Sequence, residues 1–182
     1  SRGLGPQCRV HNRIATSAGL RRLDAIAAMR WLAAQPGTPP GGVALLGWSD
    51  GGSTVLAAGK VAPDLPAGLL KGVVAFYPGC RGASVSTTWQ PAAPFLILHG
   101  AADDWTPVAP CIALAARHPE MVMIHTYPGA YHDFDSPVVL HVMHKIPTSQ
   151  NLDHSVHLGN NAPARADALQ RVPAFLAGLR GK

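Results

Sequence analysis

This chain has little charge. Asp, Glu, Lys and Arg make up 14% of its 182 residues and apolar types 47%. That balance excludes a disordered chain and is enough for one domain with a real core, residues 1–182. It also lacks any basic run. The net charge is +5, but the densest positive cluster is the pair Arg21-Arg22, so the charge is general surface character and no nucleic-acid partner is expected. No apolar stretch is long enough to span a bilayer, so no membrane partner is expected either. There is no internal repeat and no low-complexity tract. The first residues, Ser1 to Pro6, are neither an initiator methionine nor a signal peptide. They read as the start of a processed product or a fragment. Cysteine is limited to Cys8, Cys80 and Cys111.

What is present alternates between helical and extended segments. Residues 1–16 are irregular, with Gly3, Gly5 and Pro6 as turn signals. The spacing predicts a helix over 17–34, with Leu20, Leu23, Ala27, Trp31 and Ala34 on one face and Thr16 or Ser17 as cap. The prolines and glycines of 39–42 form a loop into a strand at 43–47. A helix then runs to about Val61. Further strands follow at 72–77, 94–98 and 121–127, with a Gly-, Ser- and Thr-rich loop at 78–93 and a helix at 107–117. Residues 135–161 read as irregular. A last helix starts near Ala162-Pro163, capped by Asn161. The strands are continuous apolar runs separated by helices, the pattern of a parallel sheet buried on both faces in an α/β fold. Cys80 follows one strand and Cys111 opens the helix after the next. They can form a disulfide, which implies an oxidising compartment (export or the periplasm), or stay two free thiols of a cytoplasmic protein.

The chemistry centres on Gly47-Trp48-Ser49-Asp50-Gly51. An apolar run precedes it and an Ala-rich run follows, which makes a strand, a sharp turn and a helix with serine at the apex. Such a serine has its hydroxyl pushed out, and the flanking glycines let strand and helix approach. The N–H of Asp50 then sits at a helix N-terminus, where it can stabilise an oxyanion. Alone, the motif is equally a plain strand-to-helix loop. A nucleophilic serine needs a base and an orienting acid. After the third strand come Asp103 and Asp104, and after the fourth comes His132. All of these lie at the carboxyl ends of strands, where open α/β sheets place their ligand chemistry. The alternatives are an aspartate capping the helix at Pro107 and a solvated loop histidine. Arg81 is either solvated loop surface or a group for a substrate carboxylate. The pairs His141/His144 and His154/His157 lie in an irregular, proline-containing segment with few carboxylates, so no metal site is expected.

Leu46 to Ser53, Phe76-Tyr77-Pro78-Gly79, Leu98-His99-Gly100 with Asp103 to Pro107, and Tyr127 to Ala130 with His132-Asp133-Phe134 resemble the dienelactone hydrolase family of α/β-hydrolases. The resemblance runs from about residue 18 to the C-terminus. It implies an α/β-hydrolase fold, here the C-terminal half of a mostly parallel sheet flanked by helices. It also places the catalytic acid four residues before a proline, which selects Asp103 over Asp104. Two departures stand out. The family's type enzyme has cysteine where this chain has Ser49, so Ser49 is more like the esterase-type branch. The family's sheet has eight strands, and on that pattern the chain lacks the N-terminal strands and the loop with the second oxyanion donor. Its first strand would then carry an open apolar edge. The expected function is cleavage of a carboxylic ester or lactone of a small molecule through an acyl-enzyme, without a cofactor. Peptidase or acyltransferase chemistry on the same fold, or a catalytically weak remnant, are the alternatives.

Overall fold

The computed structural model describes residues 15–38 and 41–179. Of the irregular start expected over 1–16, residues 1–14, Cys8 included, lie outside the described residues, as do the loop prolines Pro39 and Pro40. The elements, in chain order, are α1 (Leu20–Ala33), β1 (Val43–Trp48), α2 (Asp50–Ala58), β2 (Leu70–Phe76), α3 (Arg81–Val85) and β3 (Phe95–Gly100). Then come α4 (Ala109–Arg117), β4 (Val122–Tyr127), β5 (His141–Met143), β6 (Val156–Leu158) and α5 (Ala162–Gly178). The four expected strands form one parallel sheet in the order β1-β2-β3-β4. Gly47 pairs with Ala75, Ala75 with Ile97 and Ile97 with Ile124.

Alternate residues of the two central strands, β2 and β3, enter different cores. Val73, Ala75, Phe95 and Ile97 pack with α1, α2 and α4 on one face. Val74, Phe76, Leu96 and Leu98 pack with Ala164 and Ala168 of α5 on the other. All six residues of β3 are buried, and its first four, Phe95 to Leu98, read as an uninterrupted run of large apolar side chains. Each such side chain contributes about 1.5–3 kcal/mol relative to exposure.

Three features differ from the sequence pattern. Helix α1 starts at Leu20, after a turn in which Gly19 N–H donates to Thr16 Oγ1 (3.1 Å). Its buried stripe is Arg22, Ile26 and Met29, whereas Leu23 and Trp31 of the expected stripe are exposed. The reason is Arg22. Its guanidinium forks onto both Asp64 carboxylate oxygens at 2.6 Å and its Nε donates to Ala57 O at 3.0 Å. A paired arginine can occupy an inward position that a hydropathy pattern assigns to solvent. The loop at 78–93 contains α3, with Cys80 just before it in a disulfide with Cys111 of α4, Cα–Cα 5.0 Å. The segment at 135–161 holds an antiparallel ribbon of β5 and β6. At the start of α5, the Asn161 side chain accepts from Ala164 N–H (3.2 Å), as expected of a cap. Among the described residues β1 pairs only with β2. Its Leu46 and Trp48 are exposed.

Candidate functional site

The site lies where β1, β3 and β4 end. Ser49 follows β1 with φ 53° and ψ −118°, a backbone conformation that L-residues other than glycine avoid. Ser49 N–H donates to Phe76 O at 3.0 Å, and Ser49 O accepts from Ser53 N–H at 2.9 Å. The turn is tight enough that a Cβ on Gly47 would lie 2.3 Å from Gly51 O, and one on Gly52 2.8 Å from Phe76 O. A Cβ on Gly51 would meet open space. The close approach therefore depends on Gly47 and Gly52, and the second glycine of the motif does not carry it.

The structure brings three of the sequence-predicted residues into one line. Ser49 Oγ lies 2.9 Å from His132 Nε2. On the other side of the ring, His132 Nδ1 lies 2.8 Å from Asp103 Oδ2. His132 and Asp103 are both buried, and Ser49 is half-buried. An Nδ1–H donating to the carboxylate leaves the Nε2 lone pair facing the serine hydroxyl. Asp103 is itself held at both oxygens. Oδ1 accepts from the N–H groups of Trp105 (2.9 Å) and Thr106 (2.8 Å), and Thr106 Oγ1 lies 2.9 Å from Oδ2.

Asp104 points elsewhere. Its Oδ2 meets His157 Nδ1 at 2.7 Å and Asn151 Nδ2 at 3.1 Å, and its Oδ1 accepts from His157 N–H at 2.9 Å. Burial alone would raise the Asp104 pKa, but these hydrogen bonds outweigh it and hold the carboxyl below its ordinary value. Neither aspartate caps α4, whose N-cap is Val108 without a side-chain bond. Asp50 occupies the first position of α2, and its carboxylate is bound by Ser17 Oγ and by Arg21 Nη1 at 2.5 Å. Arg81 opens α3 and is exposed, on the rim of a cavity of 250 Å³ shared with Trp105, Thr106 and Gln150. His157 is engaged with Asp104, and His141 Nδ1 with Val139 O. Among the described residues, no group of three or more His, Cys, Asp or Glu is placed to hold a metal ion. None of their helices is long and apolar enough to cross a membrane.

The sequence pattern did not single out the surroundings of His132. Its ring lies between Tyr77 and Trp105, with centroids 4.6 Å and 4.9 Å away. Tyr77 has φ 36° and sends its hydroxyl to Asp135 (2.7 Å) and Asp133 (3.2 Å). Burial, then those two carboxylates, push its pKa far above the ordinary phenol range, so it stays a donor. His99 is fully buried beneath, with its ring nitrogens facing Gly100 O and Pro78 O, and burial lowers its pKa. Tyr77, Trp105 and Thr106 all lie within the motif segments of the sequence. Their order along the chain carries no sign that they converge on one imidazole.

Two solved structures share this architecture. A dienelactone hydrolase-like promiscuous phosphotriesterase from metagenomic libraries is 23% identical, covering 87% of this chain and 61% of its own, with a TM-score of 0.61. Thermogutta terrifontis esterase 2, solved phosphoramylated by tabun, is 17% identical, covering 92% of this chain and 67% of its own, with a TM-score of 0.64. The chain thus spans less than two thirds of the length of the metagenomic protein. These likenesses establish the α/β-hydrolase fold. No curated protein sequence matches the chain. The family model for dienelactone hydrolases matches residues 8–179, nearly the whole sequence, and the chain belongs to the dienelactone hydrolase family.

Proposed function

We propose that this protein is a serine hydrolase that cleaves a carboxylic ester or lactone of a small molecule through an acyl-enzyme. The observation that carries this reading is the continuous hydrogen-bonded line from Ser49 Oγ through His132 to Asp103. Ser49 is the nucleophile. His132 Nε2 takes its proton as Oγ attacks the carbonyl carbon, and the ring becomes imidazolium. Asp103 keeps Nδ1 protonated and offsets the new charge. The tetrahedral oxyanion is stabilised by the Asp50 N–H at the positive end of α2. His132 then gives the proton to the departing alkoxide, the acyl group remains on Ser49, and water attacks it by the same path in reverse. Family membership and an esterase with the same fold support an ester-like substrate. The strained φ of Ser49 supports its role as nucleophile, because such strain concentrates at functional sites.

The test is fluorophosphonate labelling read by mass spectrometry, beside hydrolysis of a short-chain p-nitrophenyl ester. A single adduct on Ser49 is expected, absent in Ser49→Ala, whose hydrolysis rate should fall by roughly 10⁴-fold or more. A folded wild-type chain that leaves Ser49 unlabelled and the ester intact overturns the reading.

A further inference from the structure

We infer that the Thr106 hydroxyl is a positioning group for the relay, an inference that rests on the serine hydrolase reading above. Thr106 Oγ1 lies 2.9 Å from Asp103 Oδ2, 3.2 Å from His132 Nδ1 and 3.1 Å from Tyr77 O. Those three partners come from the loops that follow β3, β4 and β2. One oxygen atom therefore ties the ends of β3 and β4, which carry the acid and the imidazole, to the end of the neighbouring β2.

A hydroxyl has one proton and two lone pairs. The Asp103 carboxylate and the Tyr77 carbonyl can only accept, so the proton goes to one of them. His132 Nδ1–H can only donate toward Thr106, so a lone pair faces it. The Nδ1–H then has two acceptors, Asp103 Oδ2 and Thr106 Oγ1, on the same side of the ring. When Nε2 takes the serine proton, the cation finds both oxygens already in place and the ring has no reason to rotate. The main chain of Thr106 adds to this, because its N–H holds the other oxygen, Asp103 Oδ1, at 2.8 Å. The carboxylate is gripped from both ends by one residue and cannot turn about its Cβ–Cγ bond without breaking a contact. Thr106 touches neither the reacting serine nor the substrate carbonyl in this scheme, and acts through Asp103 and His132.

Thr106→Val keeps the shape and the backbone N–H and removes only the hydroxyl. Thr106→Ala removes the side chain beyond Cβ, and Thr106→Ser restores the hydroxyl alone. Fluorophosphonate labelling rates and steady-state hydrolysis of p-nitrophenyl acetate are measured for wild type, Ser49→Ala and these three variants, each with its thermal midpoint. We expect Thr106→Val and Thr106→Ala to label about tenfold to a hundredfold more slowly, the range for a lost hydrogen bond to a charged group. We expect kcat to fall with KM unchanged, and Thr106→Ser to return to within about threefold of wild type. Wild-type labelling rates in Thr106→Val or Thr106→Ala overturn the inference while leaving the Ser49 reading intact. A slow Thr106→Ser overturns it too, because methyl packing would then be what matters. A folded wild type that is not labelled at all removes the underlying reading, and the inference with it.

Discussion

Three glycines surround Ser49, and one added methyl group distinguishes them. At Gly47 it would sit 2.3 Å from a main-chain oxygen that belongs to the facing helix turn, a group that cannot swing aside. At Gly51 it would meet nothing within 4 Å, inside α2. Gly47→Ala should therefore lose about 2–3 kcal/mol of unfolding free energy, as overpacked sites do. Gly51→Ala should be neutral or gain up to about 1 kcal/mol, because alanine is the better helix former and loses less chain entropy. Urea denaturation of the two variants compares them directly, and equal effects would mean that the turn is not packed as described. The motif G-x-S-x-G was legible in the sequence, whereas the partner of Gly47 was not. The third residue of the contact, Gly52, lies just outside the motif. It matters only because β2 brings Phe76 O beside it.

At the scale of elements, the β5–β6 ribbon is held to the site by Asp104, the neighbour of Asp103. Its bonds to the side chain and main chain of His157 cross from the β3 loop to β6. Trp105 Nε1 adds a bond to Thr148 Oγ1 at 3.0 Å, and Gly159 N–H donates to His132 O at 2.8 Å. The folded-state pKa of Asp104 is lowered. Its contribution is thus fully present above the unfolded carboxylate pKa and is lost as pH falls from there through the lower folded value. Both side chains are partly exposed, which limits the worth of the pair. Asp104→Ala should raise amide hydrogen exchange over 141–158 by roughly threefold to tenfold, with β2 and β3 unchanged. A uniform change across the sheet, or none, would show that the tether does not set the local opening. Strands of three residues with one buried position between them have too little periodicity to announce themselves in sequence. The face of α1 was misassigned for a different reason: the inward residue at its start is a charged one, and only its pairing with Asp64 makes that position inward.

At the scale of the whole molecule, the described residues build a parallel sheet with helices on its two faces and a covalent tie between α4 and the residue before α3. The Cys80–Cys111 disulfide closes a loop with a sequence separation of 31. In the chain-entropy account, a loop of that size contributes about 3–4 kcal/mol by restricting the unfolded state. Reduction, or a Cys80→Ser, Cys111→Ser double variant, should lower the unfolding free energy by roughly 2–4 kcal/mol. Denaturant titrations with and without dithiothreitol measure it, and coincident curves would show that the tie does not stabilise the fold. The edge of the sheet is the other whole-molecule feature. Leu46 and Trp48 of β1 are 39% and 45% exposed, although they belong to a strand whose sequence reads as buried, because among the described residues only β2 pairs with it.

The sequence by itself determined the local events. Continuous apolar runs separated by helical segments dictate a parallel α/β sheet, because only strands covered on both faces tolerate apolar residues at every position. A serine between a strand and a helix, with an aspartate and a histidine on later loops, placed Ser49, Asp103 and His132 at the carboxyl ends of the strands of that sheet. The tertiary structure decided what depends on atoms meeting across the fold. It sent Asp103 to the histidine and Asp104 to the ribbon, paired Cys80 with Cys111, and buried Arg22. It also brought Tyr77, Trp105 and Thr106 around one imidazole. Hydropathy and spacing record which way a residue faces along its own element. They do not record the direction of a hydrogen bond between loops that are 29 or 83 residues apart in the chain, and at this site the chemistry depends on those directions.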